Sequence, residues 1–346
     1  MVIYTYLYLS NSIKANRLLL TINQKSMKRI FKRINYYLSE KYVNTFNYQP
    51  YLHTILLHKM YNSREDVTPL NGDVAEGVDK FQFETFIKYF ADRNVKFIDE
   101  SDIIENKLDP KKQYIYLTFD DGYYNNFICL DILKKYNAKA TFFISTDHIK
   151  KGKAYWWDSL VQELTKRNRT SEIDETIKKM YQMKWPEQDK FMADSFGQEA
   201  LIPKNDIDRP MTKSELKEFA DHENTTIGNH THSHLNITIY EDKEVSDSIK
   251  SAEDFLREIT SQKITSISYP YGFINEAKVA LVKKLNYKIG ITVVPGINNV
   301  SELHKDNNTL LLKRSQLSGF FDITSQCHNL HTNNFSIAAK IKSLLK

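Results

Sequence analysis

Two adjacent carboxylates, Asp120 and Asp121, end the apolar run YIYLTF (114–119) and are followed by Gly122. Ionised acids at the close of a buried segment need ionic partners or a metal to offset their desolvation. Asp-Gly is also an ordinary turn dipeptide, so the pair alone decides nothing. A second cluster, GNHTHSHLN, places His230, His232 and His234 within five residues. His230 and His234 are four apart, so a helical turn would set both rings on one face while His232 points away. Two imidazoles and a carboxylate are a common ligand set for a catalytic metal with positions left open to water. Asp121 can supply that carboxylate. The alternative is three histidines with ordinary polar partners. YPYG (Tyr269 to Gly272) and His58, which closes TILLH, are the other candidate strand-end groups.

The surrounding pattern must bring these groups together. Short β-branched and aromatic runs lie at 53–58, 95–99, 114–119, 138–145, 225–229, 265–269, 287–292 and 309–313. Amphipathic helical stretches alternate with them at 83–94, 125–137, 212–223, 247–260 and 275–286. Thr212 and Glu215 have capping-box spacing at one helix start. Eight strand candidates alternating with helices favour a barrel or incomplete barrel over an open sheet. Residues 151–210 break the rhythm and carry all three tryptophans, Trp156, Trp157 and Trp185. The segment reads as an insertion at a strand C-terminal end, where barrel active sites are built.

Composition narrows the class. The 346-residue chain is 41% hydrophobic and 26% charged, a soluble globular balance. Its net charge of +5 reflects an early basic excess, from Lys14 to Arg33, with no nucleic-acid reading motif. Nucleic acid is therefore not an expected partner, whereas peripheral contact with an anionic membrane is. Cys129 and Cys327 exclude a disulfide framework and a thiolate zinc cluster. No run is long enough to span a bilayer, and the opening residues lack signal-peptide features. The expected location is the cytoplasm or the inner membrane face. Residues 1–47 read as an extension, 48–325 as the main domain and 326–346 as a tail helix. In the extension, Ile30, Phe31, Ile34, Tyr37 and Leu38 form one helical face that packs on the main domain or lies on lipid. Met27 is an alternative start.

TFDDG, followed about 110 residues later by HTHSH, resembles the first two motifs of the polysaccharide deacetylase (NodB-homology) family, carbohydrate esterase family 4. YWWDSL, MTKSEL, SYPYG and TVVPG follow in the family's order, and the resemblance covers roughly residues 50–325. It implies a deformed (β/α)7 TIM-like barrel of the α/β class, with an inserted lid segment and an N-terminal helical extension. It further implies that Asp121, His230 and His234 bind a divalent metal, usually Zn2+, with Co2+, Ni2+ or Mn2+ as alternatives. Asp120 would be the general base, and the backbone N–H of Tyr123 would face the oxyanion. The implied reaction removes the N-acetyl group of an amino sugar in an envelope or lipid-linked glycan and releases acetate. Deformylation, another amide hydrolysis, or silent glycan binding are the alternatives.

The chain departs from the commonest family pattern in two places. The late L-x-H motif that supplies the acid in many members is missing, but LLH at residues 56–58 has its form. This resembles the circularly permuted branch related to poly-N-acetylglucosamine deacetylases and makes His58 the expected acid. SISYPYG also lacks the arginine that orients the base in many relatives. Arg314, in LLLKRSQL, is the candidate replacement. Tyr269, Pro270 and Tyr271 are expected in the groove wall. Trp156 and Trp157 are expected either to cover substrate or to pack the lid.

Overall fold

Seven strands follow the expected runs: β1 (Tyr51–Leu57), β2 (Tyr114–Phe119), β3 (Ala140–Ile144), β4 (Thr225–Asn229), β5 (Ser266–Ser268), β6 (Ile289–Pro295) and β7 (Leu312–Gln316). In the computed structural model they pair in parallel in that order around the ring, and β1 meets both β7 and β2 to close a barrel. Two short strands flank it, Lys96–Phe97 parallel to β2 and Asn298–Asn299 antiparallel to β1. The structure describes residues 30–45 and 50–333. They fall into two compact units, one of residues 50–327 and the other of residues 30–45 with 328–333.

Strand alternation sorts the side chains. Tyr114 and Tyr116 of β2 join Leu52, Phe143, Ile289, Ile291 and Leu312 in one buried cluster that fills the barrel. The opposite face of the strands supports the helices. Phe119 stacks on Phe142 at 4.6 Å, and Phe142 meets Phe219 edge-on at 4.6 Å. Such aromatic pairs add about 0.5–1.5 kcal/mol beyond area burial. Toward the strand C-termini the interior positions become small and polar: Thr54, Thr118, Thr141, Gly228 and Ser268, all buried. Gly228 is required by close approach, since a Cβ there would lie 2.4 Å from the Phe143 ring. The space left by these short side chains admits Arg314, which is only 2% exposed.

At the other end of the barrel Glu100 is buried, accepts a hydrogen bond from Thr265 Oγ1, and has no hydrogen-bond partner on Oε2 among the described residues. Burial pushes its carboxyl up to about 7. Its folded pKa is thus above its unfolded one, so the protonated form favours folding. That contribution is complete below about 4.5 and is lost as pH rises to 7. Glu100→Gln is expected to flatten this slope and to stabilise the protein by about 1–3 kcal/mol at pH 8. Thermal unfolding at pH 4 and pH 8 checks it, the gain appearing at pH 8 alone.

Two local expectations are corrected. The strand expected at 309–313 begins at Leu312, because a 3-10 turn occupies Asn308–Leu310 and Tyr269 Oη donates to Leu310 O. The helix expected at 125–137 divides into a 3-10 turn, Tyr124–Cys129, and a short helix, Leu130–Lys135. The inserted segment is helical, with Trp156–Lys166, Ile173–Met180 and Trp185–Phe196 gathered on a core of Trp156, Leu160, Leu164, Met180 and Met192.

In the smaller unit, residues 30–45 form the expected helix. Its covered face carries Tyr36, Ser39 and Val43, whereas the expected apolar face, Ile30, Phe31, Ile34, Tyr37 and Leu38, is exposed. Tyr36 stacks on His328 at 4.0 Å, which fixes that rotation. Residues 1–29, with Met27, and 334–346 lie outside the described residues. No described helix is long and apolar enough to cross a membrane.

Candidate active site

The chain leaves β2 through a backbone turn of uncommon conformation. Asp121 has φ +78° and Gly122 φ +95°. A side chain at Asp121 is costly in that region, and the surroundings hold it there: Ser145 N–H and Tyr155 Oη both donate to Asp121 O. Beyond the turn, Gly122 O accepts from Met211 N–H, and Tyr124 N–H donates to Arg209 O. Between these two anchored peptides, Tyr123 N–H has no hydrogen-bond partner among the described residues.

The histidine cluster forms a loop and not the helical turn expected from its spacing. Positive φ at Thr231 (+62°) and His234 (+52°) folds the chain back, bringing the rings of His230 and His234 to 4.7 Å between centroids. Asn229 Oδ1 stabilises the fold by accepting from Thr231 N–H at 2.7 Å. His232 turns away, its Nδ1 2.8 Å from Thr146 Oγ1.

His230 Nε2 and His234 Nε2 lie 3.4 and 3.2 Å from Asp121 Oδ1. The three candidate ligand atoms sit within 4.8 Å of one another, and Asp121 Oδ1 is buried with no hydrogen-bond partner among the described residues. Nitrogen and oxygen ligands about 2.1 Å from a tetrahedral cation stand about 3.4 Å apart, so this spacing fits a metal. His230 Nδ1 is 2.8 Å from Ser268 O, an acceptor that leaves the Nε2 lone pair for a ligand bond. Burial pushes His234 down to about 4, keeping it neutral. Burial acts to raise the Asp121 pKa, but the two imidazoles hold it well below the usual carboxylate range.

Asp120 has a different environment. Arg314 reaches it bidentately, Nη1 donating to Oδ1 at 2.9 Å and Nη2 to Oδ2 at 2.8 Å, and Ser268 Oγ donates to Oδ2 at 3.0 Å. Burial works against the ionised form, yet the guanidinium lowers the pKa overall. The adjacent acids thus differ in kind: Asp121 converges with the imidazoles, and Asp120 is a clamped, ionised carboxylate.

His58 continues the inward face of β1 and is 35% exposed at its side chain. Its Nδ1 lies 2.6 Å from Glu76 Oε1, and its backbone N–H donates to Glu76 Oε2 at 2.8 Å. Burial disfavours the imidazolium, but Glu76 outweighs it and raises the pKa. Glu76 carries no sequence signal, since only the loop after β1 brings it to His58.

These groups line one open cleft of about 260 Å3, with Lys59, Asp73, Glu76, Trp157, Tyr181 and Tyr271 in its wall. Trp157 lies over His234 at 4.6 Å. Trp156, Tyr269 and Pro270 do not line the cleft. Trp156 Nε1 supports Tyr271 Oη from behind at 3.1 Å, and Tyr269 is fully buried. The expected place of Tyr269 and Pro270 in the groove wall is corrected to buried positions outside the cleft, whereas Trp156 takes the lid-packing alternative. Arg314 likewise stands behind Asp120 and outside the cleft.

A seven-stranded parallel barrel with a candidate metal triad and a clamped carboxylate at its open end is the class that fold and site define. The chain belongs to the polysaccharide deacetylase family, whose sequence model matches residues 107–290. Among curated proteins it is 22% identical to YxkH of Bacillus subtilis over 63% of this chain and 60% of that protein. It is 24% identical to the poly-beta-1,6-N-acetyl-D-glucosamine N-deacetylase of Staphylococcus aureus over 62% and 61%. The matches thus span about 60% of those two relatives' lengths. The fold is shared with Streptococcus pyogenes deacetylase PplD, solved with acetate (TM-score 0.56, 19% identity, 80% of this chain and 97% of that one). It is also shared with IcaB from Ammonifex degensii (TM-score 0.54, 14% identity, 82% and 97%).

Proposed function

We propose that this chain hydrolyses the N-acetyl group of an amino sugar within a cell-envelope or lipid-linked glycan, releasing acetate with the help of a divalent metal, zinc foremost. The observation that carries the reading is the division of labour between the adjacent acids, one ionised by Arg314 and the other converging with two histidines. A cation held by Asp121, His230 and His234 would polarise the acetamide carbonyl and lower the pKa of the attacking water. Asp120 takes that water's proton. Tyr123 N–H, unpaired within the described chain, donates to the developing oxyanion. His58, held through Nδ1 by Glu76, gives the Nε2 proton to the departing nitrogen, because an amide nitrogen leaves poorly as an anion. Trp157 and Tyr271 offer aromatic faces for the acetyl group and sugar ring.

The test is product analysis on N-acetylglucosamine oligomers. Acetate release that a chelator reduces at least tenfold, and that one equivalent of zinc restores, is the expected result. Formate release from N-formyl sugars alone would replace the substrate assignment. Stoichiometric zinc with glycan binding and no turnover would overturn the enzyme reading.

A further inference from the structure

The inserted segment contributes more than a wall to this cleft. Asp158, in the first turn of helix Trp156–Lys166, is wholly buried. One oxygen, Oδ1, lies 2.5 Å from Lys59 Nζ and accepts from Asp73 N–H at 2.7 Å. The other, Oδ2, accepts from Tyr123 Oη at 2.8 Å, and Tyr123 Oη itself accepts from Trp157 Nε1 at 2.8 Å. Lys59 Nζ also donates to Asn71 O at 3.2 Å.

These partners come from separate pieces of the site. Lys59 follows His58, Asp73 lies on the loop leading to Glu76, and Tyr123 carries the unpaired N–H. Trp157 covers His234. The loop also closes tightly over the carboxylate: Gly72 has φ +94°, and a Cβ there would fall 2.5 Å from Asp158 Oδ1. A buried ion pair is a weak source of stability, because desolvation consumes most of the attraction. What it supplies is fixed geometry, and each of its contacts here ends on a segment that carries a proposed catalytic group.

We propose that Asp158 is a positioning residue whose carboxylate locks the His58–Lys59 strand end, the Glu76 loop and Tyr123 into one geometry. The inference rests on the deacetylase reading. It predicts that the inserted segment sets the rate of the chemical step without touching substrate through this residue. A misplacement of about 1 Å in a catalytic constellation costs on the order of a hundredfold in rate.

The experiment uses the full chain loaded with zinc and follows acetate release from N-acetylglucosamine oligomers. Asp158→Asn is expected to lower kcat by about 10- to 100-fold, with KM within about twofold and zinc still bound at one per chain. Lys59→Met should behave alike. The double variant should lose no more than the worse single one, because both act through one pair. Unchanged kcat with a lowered Tm would make the network merely structural. A rise in KM alone, loss of zinc in step with kcat, or additive losses would each overturn the proposal. If Asp158→Asn does not fold, Tyr123→Phe removes only the hydroxyl, with its contacts to Asp158 and Trp157, and an unchanged kcat there also overturns it. Wild-type turnover is measured first. Its absence removes the deacetylase reading and this inference with it, whereas wild-type release with an unaffected Asp158→Asn removes the positioning role alone.

Discussion

Asp120→Asn is expected to lower kcat for acetate release by two to four orders of magnitude while zinc remains bound at one per chain. The magnitude is that of a positioned general base removed from its transition state. Metal binding should survive, because the convergent donors are Asp121, His230 and His234, and Asp120 is not among them. The amide can still accept from Arg314 through its oxygen but cannot take a proton from water. The variant also leaves a buried guanidinium without its counter-charge, and breaking such a pair costs about 3–5 kcal/mol. A lower Tm should therefore accompany the loss of rate. Arg314→Lys separates the two effects: it keeps the charge and loses the two-pronged geometry. Its kcat should fall between the wild type and Asp120→Asn. Turnover of Asp120→Asn near the wild-type rate with zinc in place would remove the base assignment.

The second large effect belongs to His58. Glu76 favours the imidazolium against burial, so the proton needed by the leaving nitrogen persists to higher pH than an isolated histidine would allow. A cation in the neighbouring site opposes that shift. Activity that needs protonated His58 falls as pH rises through its pKa, giving the descending limb of the kcat profile. Glu76→Gln withdraws the negative charge, so that limb should move to lower pH by about 1–2 units. His58→Ala should abolish the limb and lower kcat by about 10²–10⁴. A His58→Ala profile that keeps its descending limb would identify a different acid, and an unmoved limb in Glu76→Gln would reject the dyad.

Much of this site was legible in the sequence, for identifiable reasons. Asp120, Asp121, His230 and His234 follow short runs that read as buried strands, and their types are chemically distinctive. Arg314 could be nominated only as a replacement for an absent arginine; its bidentate contact spans the barrel from β7 to β2. Glu76 gave no signal, because an acid in a loop is ordinary until the fold buries it, whereas Asp158 stood within the YWWDSL run with nothing there to mark its buried contacts. The helical reading of HTHSH failed because four-residue spacing does not exclude a loop with two residues at positive φ. The rotation of helix 30–45 was not legible for a related reason: its apolar face is exposed, which is not the packed arrangement but leaves the lipid alternative open. Hydrophobic count favoured Ile30 and Phe31, while stacking of Tyr36 on His328 chose the other side.

The closure of the barrel has a consequence for how the protein is made. All three candidate metal ligands and the acid lie on the first six strands or the loops that follow them, but the partner of Asp120 arrives on the seventh. The candidate ligands are therefore all synthesised before Arg314, the residue proposed to orient Asp120. Until β7 docks between β6 and β1, Asp120 has no guanidinium to hold its two oxygens. On the proposed mechanism, full hydrolytic competence therefore requires β7, and a fragment ending before Leu312 is expected to lack the clamp on Asp120.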